Sequence, residues 1–162
     1  MNTEAEMWVR LDDRLLHSEL VYACLPVWKP SKLFVVSEPA RLKFVDTSVV
    51  EGLEVQVTTP GELAGLSDWS DGSCLVFGTP ADLGAAIRSG VPVKQALLAN
   101  RRQRLGARSL GPHYWVDDAE AAQISDWLRT GVDVVLQRVP SDEPVRVDSD
   151  ATALHDVSRE RG

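Results

Sequence analysis

The sequence predicts an α/β fold, an open and mainly parallel β-sheet with helices on both faces. Two observations carry the prediction. Short runs rich in β-branched and aromatic residues alternate with stretches of helical periodicity, and the connections between them are brief and marked by proline or glycine. The chain of 162 residues, 44% hydrophobic, is the size of one domain with a sizeable core.

The elements can be justified in order. Met7 to Leu11 is an apolar-rich first strand, and Leu33-Phe34-Val35-Val36 is a second. Leu53 to Thr58 alternates, with Leu53, Val55 and Val57 on one side. Cys74-Leu75-Val76-Phe77 is a continuous buried-type run, Val91 to Leu98 is a fifth strand with Pro92 at its start, and Gly131 to Leu136 is a later one. Leu15, Leu16, Leu20 and Val21 share a helical face from residue 15 onward. Thr59-Pro60 and Thr79-Pro80 open further helices, the latter ending near Gly90. The clearest helix runs from Asp118 to Arg129, with Ala121, Ile124, Trp127 and Leu128 as its stripe and Gly131 beyond its end. The expected organisation is one domain over residues 1–142 and a polar C-terminal tail over 143–162, with a last helical turn suggested by Leu154 and Val157.

Composition narrows the function. A net charge of −7 argues against a general nucleic-acid binder. The two cysteines, Cys24 and Cys74, sit in apolar surroundings and read as reduced core residues. No run approaches the ~18–20 apolar residues of a membrane span. The acidic start, Met1 to Glu6, is followed by no apolar signal region, so a cytoplasmic protein is expected.

In an open parallel sheet ligands bind beyond the carboxyl ends of the strands. That rule selects three loops: Asp12 to His17, Ser37-Glu38 and Gly78-Thr79-Pro80. The densest is Arg10-Leu11-Asp12-Asp13-Arg14-Leu15-Leu16-His17. A neutral imidazole is nucleophilic near pH 7 and can accept a phosphoryl group. Arg14 and the N–H groups of a helix N-terminus can hold the added charge. Asp12 or Asp13 can orient the ring, or orient the arginine instead. The plainer alternative is a solvated turn capping a helix, with His17 an ordinary surface residue. Arg101, Arg102, Arg104 and Arg108 form a basic cluster in an acidic chain. They read as a phosphate clamp or a docking patch for an acidic partner, or else as solvated loop charges. His113 reads as a loop residue and His155 as surface. No metal-ligand spacing is present, and the five tryptophans read as core or interface anchors.

The run from Arg10 to His17 resembles the signature of the mannose/fructose/sorbose family of phosphotransferase-system IIB subunits, close to R-x-D-D-R-L-I-H-G-Q. Leu33 to Glu38 is similar to that family's second strand and its I-V-V-S-D ending. Leu75 to Asp82 is similar to its fourth strand and L-F-x-x-P-x-D turn, Ile87 to Lys94 to its G-V-P-I-K passage, and Gly131 to Pro140 to its closing strand. The likeness runs in order over residues 7–142.

The resemblance implies an α/β sheet and a phosphohistidine carrier. His17 would take phosphate from a IIA domain and pass it to a sugar held by membrane subunits IIC and IID, with no metal or cofactor. It also implies that Arg14 and Asp13 support His17, that Asp12, Ser37 and Thr79 lie near the phosphate, and that the protein works at the inner face of the membrane, with homo-oligomer formation open. Three departures stand out, the first being a helix after the second strand that is several residues short of the family's. Ser18-Glu19 replaces Gly-Gln, which puts a carboxylate where negative charge must grow, unless Glu19 points away along the helix. Leu97 to Arg102 replaces a glycine-rich N-V-G-G-M loop. These departures motivate a second reading, a regulatory or binding module of the same fold that phosphorylates no sugar.

Overall fold

The computed structural model describes residues 7–66 and 72–148. A seven-stranded sheet runs in the order β3-β2-β4-β1-β5-β8-β9. The strands are β1 (Trp8–Asp12), β2 (Lys32–Val36), β3 (Val55–Thr58), β4 (Ser73–Phe77), β5 (Gln95–Asn100), β8 (Asp133–Leu136) and β9 (Val145–Arg146). All neighbours are parallel except the β8–β9 pair. The expected fold class is the one observed.

The strands are buried on both faces, which explains their continuous apolar runs. Val9, Leu11, Phe34, Val36, Leu75, Phe77, Ala96 and Leu98 form one face. Three helices cover it: α3 (Pro60–Leu63), α4 (Pro80–Arg88) and α5 (Asp118–Arg129). They contribute Leu63, Leu83, Ala86, Ile124 and Trp127. Leu33, Val35, Cys74 and Val76 form the other face, against Leu15, Leu20, Cys24 and Leu25. The strand period of two therefore sends Val9 and Leu11 one way and Arg10 and Asp12 the other.

The helix on this second face departs from the expected start at residue 15. Leu15 has φ of 57° and lies in a loop. Helical geometry begins at residue 18, widens to a π-turn over Leu20–Cys24 and continues as α1 (Leu25–Trp28). Pro26 supplies the reason: it lacks an N–H and its ring crowds the carbonyl four residues back, and a widened preceding turn relieves both. Lys29, at φ of 50°, closes the helix, and Trp28 stacks on Trp8 with ring centroids 5.9 Å apart.

The other helices follow their sequence signals. Thr59 and Thr79 cap α3 and α4 with Pro60 and Pro80 in the first turn, and α5 starts with a reciprocal capping box between Asp117 and Glu120. α4 and α5 both end in Schellman turns: Val91 N–H bonds Ala86 C=O and Val132 N–H bonds Trp127 C=O, around Gly90 and Gly131 at φ of 106° and 97°. The Gly90 turn explains why the fifth strand starts at Gln95 rather than Val91.

The β2–β3 connection holds α2 (Pro39–Leu42), short as expected for the helix after the second strand, and a 3₁₀ turn (Thr47–Val49). That turn and three strands were not anticipated. β6 (Arg108–Gly111) and β7 (Tyr114–Val116) form a hairpin tied to the chain after β5, with Arg101 N–H bonding His113 C=O and Trp115 N–H bonding Arg101 C=O. β9 lies within the stretch read as tail, and Val147 beyond it is buried with its N–H on Val134 C=O. Leu154, Val157 and His155 lie outside the described residues, as does Trp69.

The Asp117→Ala variant, which removes the α5 cap, is expected to cost about 1 kcal/mol and lower the melting temperature by roughly 2–4 °C. Thermal denaturation followed by circular dichroism checks it, and an unchanged midpoint would show that the capping box contributes nothing.

Candidate functional site

Because β1, β2, β4, β5 and β8 are parallel, their carboxyl ends lie along one edge of the sheet. The chain leaves β1 towards β2 on one side and later fills β5 on the other, so the loop after β1 sits at the crossover where ligands bind in such sheets. Asp12 organises that loop. Its fully buried carboxylate accepts from Arg10 Nη2 at 2.9 Å, from Arg14 Nε and Nη2 at 2.9 and 2.8 Å, and from the Arg14 backbone N–H at 3.0 Å. The two-pronged bond to Asp12 is the main cause that raises the Arg14 pKa above its ordinary value, so Arg14 is a permanent cation. Arg10 is itself fully buried, beside Cys24 Sγ at 3.2 Å and the Arg138 carbonyl.

Glu19 completes the cluster. Its Oε1 accepts from Arg14 Nη2 at 2.9 Å and Arg10 Nη2 at 3.1 Å, while Oε2 pairs with Arg138 Nε at 3.1 Å. The carboxylate does not point away along the helix; it turns back into three guanidiniums. Arg138, just past β8, also faces His113 Nε2 through Nη1 at 3.2 Å, which makes that ring nitrogen the acceptor. Arg138 is a member of this cluster that the sequence reading missed, while His113 lies exposed in the β6–β7 turn, in keeping with its reading as a loop residue. The signal available was the rule already used for the other loops, since Arg138 follows the carboxyl end of a parallel strand.

His17 is exposed at the head of the helix. Its Nδ1 has only long contacts, 3.5 Å each, with the Glu19 backbone N–H and the Ser18 hydroxyl. Nε2 meets no partner among the described residues. The backbone that delivers it includes the strained Leu15, whose buried side chain reaches towards Gly78. A Cβ at residue 78 would come within 3.3 Å of Leu15 and 2.8 Å of the Ser37 hydroxyl, so only glycine fits there.

The remaining candidates have other duties. Asp13 does not touch His17. It accepts from Asn100 Nδ2 and the Arg102 N–H, both at 2.9 Å, and so fastens the loop after β5 to the loop after β1. The Ser37 hydroxyl is buried and donates to Asp82 at 2.7 Å. The Thr79 hydroxyl accepts the Asp82 N–H as a helix cap.

The arginine cluster is largely committed as well. Arg101 is buried and holds Glu120 through Nε and Nη2 at 3.1 and 3.0 Å. Arg104 binds Glu120 and the Trp115 carbonyl, and Arg108 pairs with Asp118. Arg101 and Arg104 are therefore held by a carboxylate within the domain rather than standing as solvated loop charges. Arg102 is the exposed one, its guanidinium without a partner among the described residues. A cleft of about 200 Å³ opens beside the β1 loop, lined by Asp13, Arg14, Leu16, Arg41 and Phe44 among others.

No protein-family model matches the chain. The chain is 24% identical over 144 residues, 84% of its length and 92% of the relative's, to the N-acetylgalactosamine-specific phosphotransferase enzyme IIB component 2 of Escherichia coli strain K12. Its fold is similar to the IIBSor domain of the sorbose permease from Klebsiella pneumoniae, with a TM-score of 0.79 at 19% identity over 91% of this chain and 96% of that one. It is also similar to the N-acetylgalactosamine-specific IIB component 1 from Escherichia coli, with a TM-score of 0.74 at 16% identity over 88% and 100% of the two chains. The resemblance read from the motifs is thus borne out in sequence and in fold. No described helix is long and apolar enough to cross a membrane.

Two outcomes follow from the site's polar interior. Glu120→Ala strands the buried Arg101 and is expected to cost roughly 3 kcal/mol or more in urea denaturation, against near-neutrality if the pair were idle. Burial raises the Asp82 pKa, opposed by hydrogen bonds from Ser37 and Thr79. The folded protein thus holds this proton to higher pH than the unfolded chain. The resulting stabilisation is full below the ordinary value of 3.8 and is lost as pH rises through the raised one. The advantage of Asp82→Asn over wild type in urea midpoint should therefore grow as pH rises above 3.8. A constant difference would refute the assignment.

Proposed function

We propose that the chain is a IIB component of a sugar phosphotransferase system in which His17 carries the phosphoryl group. The observation that carries this reading is the placement of His17. It is an exposed, unencumbered imidazole at the head of the first helix, delivered by a loop whose shape is set by the Asp12–Arg14 pair.

In the first step an imidazole nitrogen of His17 attacks the phosphorus of a phosphohistidine on a IIA donor. The donor's P–N bond breaks as the new one forms, and the donor imidazole keeps the electron pair. Arg14 and the N–H groups at the helix start stabilise charge on the equatorial oxygens. In the second step the group passes to a sugar hydroxyl presented by IIC and IID subunits at the cytoplasmic face of the membrane. Asp13 supports the site indirectly, by tying down the neighbouring loop. A regulatory module of the same fold is the second reading, and the occupation of Arg14 by Glu19 favours it.

Incubation with phosphoenolpyruvate, the general phosphorelay proteins and a cognate IIA domain, followed by intact-mass spectrometry, tests the proposal. Wild type should gain one acid-labile phosphate and His17→Ala none. Arg14→Ala should slow the transfer by about a hundredfold. Equal labelling of wild type and His17→Ala would move the acceptor elsewhere. Release of a sugar phosphate when IIC and IID membranes are added separates transporter from regulator.

A further inference from the structure

The charge balance around Glu19 bears on how readily His17 is phosphorylated. Arg10, Arg14 and Arg138 face Asp12 and Glu19, three cations against two anions. Asp12 is fully buried and held by four donors, so it is a permanent part of the loop. Glu19 differs. Its carboxylate is partly exposed, at 17%, and it pairs with Arg14 and Arg138, which are 29% and 36% exposed. Its own backbone N–H lies 3.5 Å from His17 Nδ1. On the carrier reading, the neighbouring guanidinium groups available to a phosphoryl group on His17 already hold a carboxylate. A carboxylate and a phosphoryl group compete for the same donors, and their like charges repel.

We propose that Glu19 is a positioning residue that acts as a resident counter-anion. Phosphorylation of His17 requires Arg14 and Arg138 to exchange the Glu19 carboxylate for phosphoryl oxygens, and this exchange lowers the rate and sets the site's phosphorylated fraction. The inference rests on the carrier reading of His17. The neutral residue of the same shape, glutamine, would leave the arginines with a surplus of two positive charges and keep their hydrogen-bond acceptor. Relief from the competing charge should then speed phosphoryl gain.

The test uses the full chain and phosphoramidate, a small donor that needs no docking partner. The lone pair of an imidazole nitrogen forms the N–P bond, the donor's P–N bond breaks, and ammonia leaves with the electron pair. Acid-labile phosphate is followed by intact mass in wild type, Glu19→Gln and Glu19→Asp, with folding checked by thermal denaturation. Glu19→Gln should label about tenfold faster, equivalent to ~1.4 kcal/mol, while Glu19→Asp, which keeps the charge, stays close to wild type. Labelling of Glu19→Gln alone would support the proposal in its strongest form.

Equal rates for wild type and Glu19→Gln would overturn it, as would equal acceleration in Glu19→Asp, which would mean simple loosening of the loop. If no form is labelled while a known phosphohistidine carrier is, the carrier reading itself falls and takes the proposal with it. Arg138→Gln gives a second handle should Glu19→Gln fail to fold. It leaves more of the Glu19 charge on Arg14 and should slow labelling severalfold, and an unchanged rate would count against the exchange.

Discussion

The buried carboxylate of Asp12 is the constraint on which the site depends. A full negative charge at the end of a β-strand, out of contact with water, is tolerated only if hydrogen-bonded and paired. Arg10 and Arg14 meet that demand from either side, and the Arg14 backbone N–H completes the set. To reach Asp12, Arg14 must fold back at once, so the chain turns sharply after β1. Leu15 is then driven to positive φ, and the helix starts three residues later than periodicity suggests. His17 is presented at its head as a consequence. Strand, turn and helix start are in this sense one electrostatic arrangement.

A second arrangement of the same kind lies one strand away. Glu120 caps α5 and also holds Arg101 and Arg104, so the helix start, the loop after β5 and the β6–β7 hairpin share a single carboxylate. Asp13 connects the two arrangements through Asn100 and Arg102. A glycine-rich loop would need no such fastening. The arginines that stand here instead are neutralised from within the domain, which fits an acidic protein whose basic cluster is mostly turned inward.

Much of this was legible in the chain. The parallel sheet follows from runs such as Cys74 to Phe77, which alternate with nothing because both faces are covered. The bounds of α5 follow from its stripe, its cap and Gly131. His17 and Arg14 follow from the rule that places ligands beyond the carboxyl ends of strands. The illegible parts are those decided by long-range pairing. The hairpin strands are three and four residues long, too short for a period to register. β9 exists because β8 offers an edge, not because Val145-Arg146 has strand character. The fate of Arg101 depends on Glu120, nineteen residues away, and that of Glu19 on Arg138, which lies at the other end of the sheet's chain order.

The electrostatics of Glu19 show why composition alone misjudges such a site. In sequence the residue is a carboxylate two places from His17, the proposed acceptor, and local reasoning makes it purely repulsive. In the fold three guanidiniums surround it, and the local sum is positive by one charge. A phosphohistidine carrier must hold its cargo firmly enough to accept it and loosely enough to give it up. Binding both the phosphorylated and the transferring state equally well would gain nothing. Cations that are always fully available would stabilise the loaded form and slow release. Cations shared with a resident carboxylate regain a partner when the phosphoryl group leaves. On the proposed carrier reading, the energy lost on loading is returned on unloading, and the site stays closer to balance between donor and acceptor.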